Sequence, residues 1–342
     1  MIQHHMRRVV AAGVLALAAS APFAISACSK SGNQPASSSG SSSSISVAMI
    51  PKGPSHTFWQ SIHAGANKAA QELGVELIWR GPLREDDRDS QVSEVEGFIS
   101  RGVSGIVLAP LDEAALVGPV DDAMGKKIPV VIFDSGLKGE NYVSFVATDN
   151  FKGGQLGGER LVEAVGGKGK VVLLRYAEGH DSTTKREEGF LAAMKAHPTV
   201  EVVSSNQYVG TDVEEAYKRT ESILSTYRKP DGSLSIDGIF CANESSSFAA
   251  MRVLKDNGWA GKLHFVGFDS SENLVKGLQE GTLDGLVLQD PVKMGYLAIK
   301  TLVAHIKGEQ VERRIDTGVK VATRENMDQP GMKELVHPDL AK

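Results

Sequence analysis

The chain has 342 residues, of which 41% are hydrophobic and 23% charged, enough apolar material for a substantial core and a length that suits two domains. Its net charge of −5 offers no basic face to displace counterions from phosphates, which argues against a nucleic-acid partner. Neither a fibrous repeat nor a wholly disordered composition is present.

In chain order, Arg7 and Arg8 precede an apolar run from Val9 to Ile25 rich in Ala, Val and Leu, the pattern of an export signal. The run is short of the roughly 20 residues that span a bilayer core, and small residues follow it, so a cleaved signal over residues 1–27 is expected. The end of that run, Ile25-Ser26-Ala27-Cys28, resembles the lipobox of bacterial lipoproteins, which implies that Cys28 is acylated and becomes the first mature residue. Cys241 is then the lone remaining cysteine, and no intramolecular disulfide is available. Residues 29–44 are almost all Ser, Gly, Asn, Gln, Pro and Ala, too polar to pack, so residues 28–44 are expected to be the lipidated cysteine and a tether.

From Ile45 onward short apolar runs alternate with amphipathic stretches, the rhythm of βαβ units with parallel strands buried on both faces. Strands are predicted at Ser46–Ile50, Val75–Trp79, Gly105–Ala109, Val130–Asp134, Lys170–Arg175, Val200–Ser204, Gly238–Cys241, His264–Phe268 and Gly285–Gln289. Thr57 to Leu73 reads as a helix, because Phe58, Ile62, Ala66, Ala69, Ala70 and Leu73 recur at helical spacing and Gly74 closes it. Lys126 and Lys127 are placed in the last turn of the helix before Pro129. Tyr142 to Asp149 follows a strand with no helix between, which points to a link leaving one domain for another. The predicted fold class is α/β, with two Rossmann-like lobes of parallel sheet flanked by helices and joined by a three-strand hinge. Residues 45–148 plus 290–314 form the first lobe and residues 149–289 plus 315–342 the second. The chain crosses near Asp149, near Gln289 and after a helix at Val292–Lys307.

Asp134, Asn243, Asp269 and Gln289 each terminate an apolar run, and ligands of open α/β sheets collect beyond the carboxyl ends of strands. Several segments then carry a family likeness from Ile45 to about Gly318. In the first lobe they are Thr57-Phe58-Trp59, Gly105-Ile106-Val107-Leu108 with Pro110, Pro129 through Asp134, and Thr148-Asp149-Asn150. In the second they are Arg186-Glu187-Glu188-Gly189-Phe190, Phe240 through Glu244, Val266-Gly267-Phe268-Asp269 and Leu288-Gln289-Asp290-Pro291. In this order they resemble the ribose-type periplasmic binding proteins of ATP-driven sugar importers.

That resemblance implies a two-lobed type I periplasmic binding fold closing on a small polyhydroxylated ligand. Asp134 and Asp269 would accept hydroxyl protons, Arg186 would donate to two oxygens, Asn243 and Gln289 would do both, and Phe58 and Trp59 would cover a ring face. Ordinary structural roles stand beside these. Asp269 or Asn243 could cap the helix that follows, Arg186 could be a solvated cation, and Phe58 and Trp59 could be core. Lys52 and His56 are placed to reach the ligand from the first strand's end, though a loop lysine is commonly solvated. The family pattern is departed from at three places. Thr211 stands where a second aromatic wall is common, Ser135 where ribose receptors carry arginine, and His56 where they carry asparagine. The ligand is therefore expected to differ from ribose, with Arg80 to Arg84, Tyr176 and His180 available to reshape the pocket.

Other motifs carry no separate chemistry. Gly166 to Lys170 lies between a helix and a strand, the reverse of a phosphate loop, and Gly153 to Gly158 fits a helix packed closely on a neighbour rather than a dinucleotide turn. The histidines have no metal-ligand spacing, no cofactor is implied, and no nucleophile has an oriented base. The expected protein is a binding protein and not an enzyme. It would be a monomer held at the cell surface or in the periplasm, delivering a sugar or polyol to an importer's permease. The alternative is a ligand-sensing subunit for a membrane chemoreceptor or kinase.

Overall fold

The computed structural model describes residues 44–54 and 56–338. The expected signal, the Cys28 lipidation site and nearly all of the tether lie outside the described residues.

The chain starts with β1 (Ser46–Ile50), α1 (Thr57–Leu73), β2 (Glu76–Trp79), α2 (Arg88–Arg101), β3 (Gly105–Leu108), α3 (Val117–Gly125), β4 (Val130–Phe133) and β5 (Ser144–Ala147). It continues through α4 (Asn150–Ala164), β6 (Gly169–Arg175), α5 (Asp181–Ala196), β7 (Val200–Tyr208), α6 (Val213–Ser225) and β8 (Gly238–Cys241). Then come α7 (Glu244–Asp256), β9 (His264–Phe268), α8 (Glu272–Glu280), β10 (Gly285–Leu288), α9 (Pro291–Ile306), β11 (Arg314–Asp316), β12 (Lys320–Ala322) and α10 (Lys333–Val336).

The strands form two six-stranded sheets, ordered β11-β5-β4-β3-β1-β2 and β12-β10-β9-β8-β6-β7. Every pairing is parallel except β10 with β12. Central strands such as Gly105–Leu108, Val130–Phe133 and Gly238–Cys241 are buried along their whole length, because helices cover both faces of each sheet and leave no wet side.

Each lobe therefore has two apolar cores, one per sheet face. On the first sheet Trp59, Ile62, Phe133, Ile299 and Leu302 share one core, and Ile50, Phe98, Leu108 and Ile132 share the other. Helix α9 thus packs on the first sheet although β10, just before it, belongs to the second. Between α1 and α9, a Cβ added at Gly65 would lie 1.9 Å from the Val292 carbonyl oxygen, and one at Gly295 would lie 2.1 Å from that of Ile62. Between α4 and α5 the same device recurs: a Cβ at Gly154 would lie 1.8 Å from the Arg186 carbonyl oxygen. The glycine-rich run at 153–158 is thus a close helix contact.

The chain passes between the sheets three times, after β5, after β10 and between β11 and β12. Two of these segments are laced together, with Thr148 Oγ1 3.3 Å from Thr317 Oγ1 and Arg314 donating to the carbonyls of Ala147 and Thr148 at 2.7 and 3.0 Å.

The structure corrects some expectations. Tyr142 to Asp149 is not only a link, since Ser144–Ala147 pairs in parallel with β4 before the chain leaves the first sheet, and β11 later pairs on its other side. Residues 315 and 316 belong to β11 on the first sheet, so a boundary at residue 314 divides a strand. Helix α3 ends at Gly125, Lys126 caps it, and Lys127 sits at a φ of 62° outside it. Strand β7 extends to Tyr208, four residues past the expected end, as a partly exposed edge whose polar Ser204 to Gln207 gives no apolar pattern.

Candidate functional site

The carboxyl ends of β1, β4, β6, β8, β9 and β10 converge on one cavity between the lobes. Two of these strands end in the same way. Asp134 follows β4 with a φ of 60°, and Asp269 follows β9 with a φ of 66°. In each case the amide donates to a neighbouring strand, Asp134 N to Val146 O at 3.1 Å and Asp269 N to Val287 O at 2.8 Å. A left-handed turn is sparsely populated for a residue with a side chain, though Asp tolerates it better than most. Here it swings one carboxylate from each lobe into the cleft, and such local strain clusters at functional sites.

Arg186, on α5, sits between those carboxylates, 4.0 Å from Asp134 Oδ1 and 4.0 Å from Asp269 Oδ2. It is 3% exposed, so it is not a solvated cation. Its Nε donates to Asn150 Oδ1 at 2.8 Å and its Nη1 to the Ala242 carbonyl at 2.9 Å, while the guanidinium lies 4.0 Å over the Phe268 ring. Burial lowers its affinity for the proton, and Asp269 and Asp134 oppose that. Lys52 is also buried rather than solvated, with Nζ 3.1 Å from Asp134 Oδ2 and donating to Ser182 Oγ at 3.0 Å.

Asp269 accepts from Gln289 Nε2 at 2.8 Å. Burial, the largest influence, raises the Asp269 carboxyl above its usual range, with Arg186 pulling the other way. Asp269 does not cap α8; Ser271 occupies that position. Asn243 does cap α7, accepting from Ser246 N at 3.3 Å, and it also faces the cavity. Phe58 and Trp59 likewise combine both readings. They pack edge-to-face at 5.0 Å within the first lobe's core and form a cavity wall. His56 lines the cavity as well, 3.6 Å from Glu85 Oε1.

Ser135 is the exception among the expected residues. Its side chain is not on the cavity wall; its Oγ accepts from Ser182 N at 3.0 Å, tying the lobes just behind the site. Thr211 lines outer depressions instead. Tyr176 joins the cavity, whereas buried His180 packs edge-to-face against it at 5.0 Å and faces the neighbouring cleft.

Two carboxylates were not singled out in the sequence. Glu85 accepts from the Trp59 indole Nε1 at 2.6 Å and from the Tyr176 hydroxyl at 2.8 Å, bridging the lobes. Glu244 accepts from Phe58 N at 3.0 Å, and burial raises its carboxyl above the usual range. In the run Arg84-Glu85-Asp86-Asp87 Glu85 is indistinguishable from a solvated acidic stretch.

Further contacts join the lobes around the cavity. Gly136 N donates to Asp181 Oδ2 at 2.9 Å, and Glu113 N donates to the Gly179 carbonyl at 3.1 Å. The lobes meet on both sides of a polar, aromatic-walled cavity.

This fold and site define a two-lobed solute-receptor architecture with a cleft at the strand ends. A family model described as "Periplasmic binding protein domain" matches residues 47–310, and the chain belongs to that family, in its ribose-type sugar-binding branch. Among its relatives is the ribose import binding protein of Haemophilus influenzae, 29% identical over 284 residues, covering 83% of this chain and 93% of that protein. A carbohydrate transporter solute binding protein from Agrobacterium radiobacter, solved with D-arabinose, is 31% identical with a TM-score of 0.81, covering 86% of this chain and 100% of that one. An ABC transporter solute binding protein from Agrobacterium vitis, solved with D-fucose, is 34% identical with a TM-score of 0.81, covering 85% and 100%.

Proposed function

We propose that this chain captures a sugar or related polyol outside the cytoplasm by hinge closure and delivers it to the permease of an ABC importer. It would act as a monomer held at the membrane through lipidated Cys28. The observation that carries this reading is that both lobes contribute to one cavity. Lys52, His56, Phe58, Trp59 and Asp134 come from the first, and Arg186, Asn243, Asp269 and Gln289 from the second.

In this mechanism the closed form is favoured because a bridging ligand gains contacts that an open form cannot offer. Asp134 and Asp269 accept ligand hydroxyl protons, Arg186 orients both carboxylates, Asn243 and Gln289 discriminate by donor and acceptor, and Trp59 covers a ring face. Ser135 acts indirectly, by joining the lobes through Ser182. The permease then recognises the closed pair of lobes.

Titrating pentoses, hexoses and polyols while following tryptophan fluorescence tests the reading, because Trp59 is on the cavity wall. A saturable change with at least one of them is expected; no response to any would overturn it. Mass spectrometry of ligand carried through purification identifies the cargo directly. For the anchor, Cys28→Ser is expected to move the mature protein from the membrane to the soluble fraction, and unchanged membrane association would refute lipidation.

A further inference from the structure

We propose that the wall formed by Glu85, Glu244, Asp269 and Gln289 is a subsite for a protonated amine, so that the preferred cargo is an amino-substituted sugar or aminopolyol. This rests on the sugar-receptor reading and narrows it.

The charges around the cavity do not balance. Two permanent cations, Lys52 and Arg186, face four carboxylates, Glu85, Asp134, Glu244 and Asp269. Both cations are already committed. Lys52 Nζ is 3.1 Å from Asp134 and bonded to Ser182, and Arg186 donates to Asn150 and to the Ala242 carbonyl while standing 4.0 Å from both aspartates. The partners of Glu85 and Glu244 are different in kind. Glu85 is held by an indole N–H and a phenol, and Glu244 by a backbone N–H, all neutral donors that orient a carboxylate without cancelling its charge. Among the described residues that line the cavity, His56, 3.6 Å from Glu85 and close enough to act on Glu244, is the one further cation-forming group.

A separate observation concerns hydrogen bonding. Gln289 is 3% exposed, its Nε2 donates to Asp269, and its Oε1 is buried with no partner. An orphaned buried acceptor is destabilising, and Gln289 lines the same cavity as the under-neutralised carboxylates. The wall therefore needs donors. A hydroxyl brings one proton and acceptor lone pairs of its own, whereas an ammonium brings three protons, no acceptor and the missing charge. Burial holds Glu244 and Asp269 above the ordinary carboxylate range, and a bound ammonium would favour their charged forms. An anionic ligand such as a uronate or sugar phosphate would add to the imbalance.

The test compares calorimetric affinities within matched sets: galactose, galactosamine and galacturonate, and the corresponding glucose and mannose series. At least one amino sugar is expected to bind about tenfold or more tighter than its neutral parent, equivalent to about 1.4 kcal/mol, with the uronate weakest. In Glu85→Gln and Glu244→Gln, checked for folding by thermal melts, that ratio is expected to shrink toward one. Neutral sugars binding as well as or better than every amino partner would overturn the amine subsite while leaving the receptor reading intact. Failure of every amino sugar to bind would likewise overturn the amine subsite, whereas the receptor reading falls only if the pentoses and polyols fail as well.

Discussion

Replacing Arg186 by Met keeps much of the side chain's length and its contact with Phe268 but removes the charge and the donors. The structure shows what is stranded: Asn150 Oδ1 and the Ala242 carbonyl each lose a donor, and Asp134 and Asp269 lose the cation they share. Breaking a buried ion pair by deleting one partner typically costs about 3–5 kcal/mol, because the remaining charge stays buried. Relief of guanidinium desolvation offsets part of this, but Lys52 reaches only Asp134, so Asp269 is left without a cation in contact. We therefore expect the urea unfolding midpoint to fall by an amount equivalent to about 3–5 kcal/mol at unchanged slope. A loss below about 1 kcal/mol would show that Arg186 is not the electrostatic keystone of the two strand-end carboxylates.

Further outcomes follow from packing and titration. Gly154→Ala forces a Cβ to within 1.8 Å of the Arg186 carbonyl oxygen, so α4 and α5 must separate. A stability loss of about 1–3 kcal/mol or more is expected in thermal unfolding, and a neutral result would contradict the close helix crossing. For Glu244, burial raises the folded carboxyl above its unfolded value. The folded state thus holds the proton more tightly, and the stability this provides is full below the unfolded value, about 4.3, and is lost as pH rises through the folded one. Glu244→Gln is expected to raise the melting temperature of the unliganded protein at pH 7 and to leave it nearly unchanged at pH 4. An equal shift at both values would mean the carboxylate's burial is not the cause.

The repeating βα units were legible because fully buried strands such as Val130–Phe133 are short apolar runs bounded by helical patterns. The strand-end positions of Asp134 and Asp269 followed from the same reading, and their left-handed backbone did not, since Asp adopts several conformations there. Strands β11 and β12 escaped notice because three residues each cannot display a period. Glu85 escaped because its role depends on Trp59 and Tyr176, 26 and 91 residues away in sequence. Ser135 is expected at the ligand because it stands where ribose receptors carry arginine, yet the turn at Asp134 directs its hydroxyl toward α5 instead.

The central claim is that one small solute is gripped by both lobes at once, and calorimetry on two single variants tests it most directly. Asp134→Ala removes the carboxylate that the first lobe contributes and Asp269→Ala the one that the second contributes. Each lost charge-assisted hydrogen bond is worth about 1.5–3 kcal/mol, so each variant is expected to weaken the same sugar by about 10- to 100-fold. If either variant binds that sugar as tightly as the unaltered protein does, the solute is held by one lobe alone and the clamp mechanism is wrong.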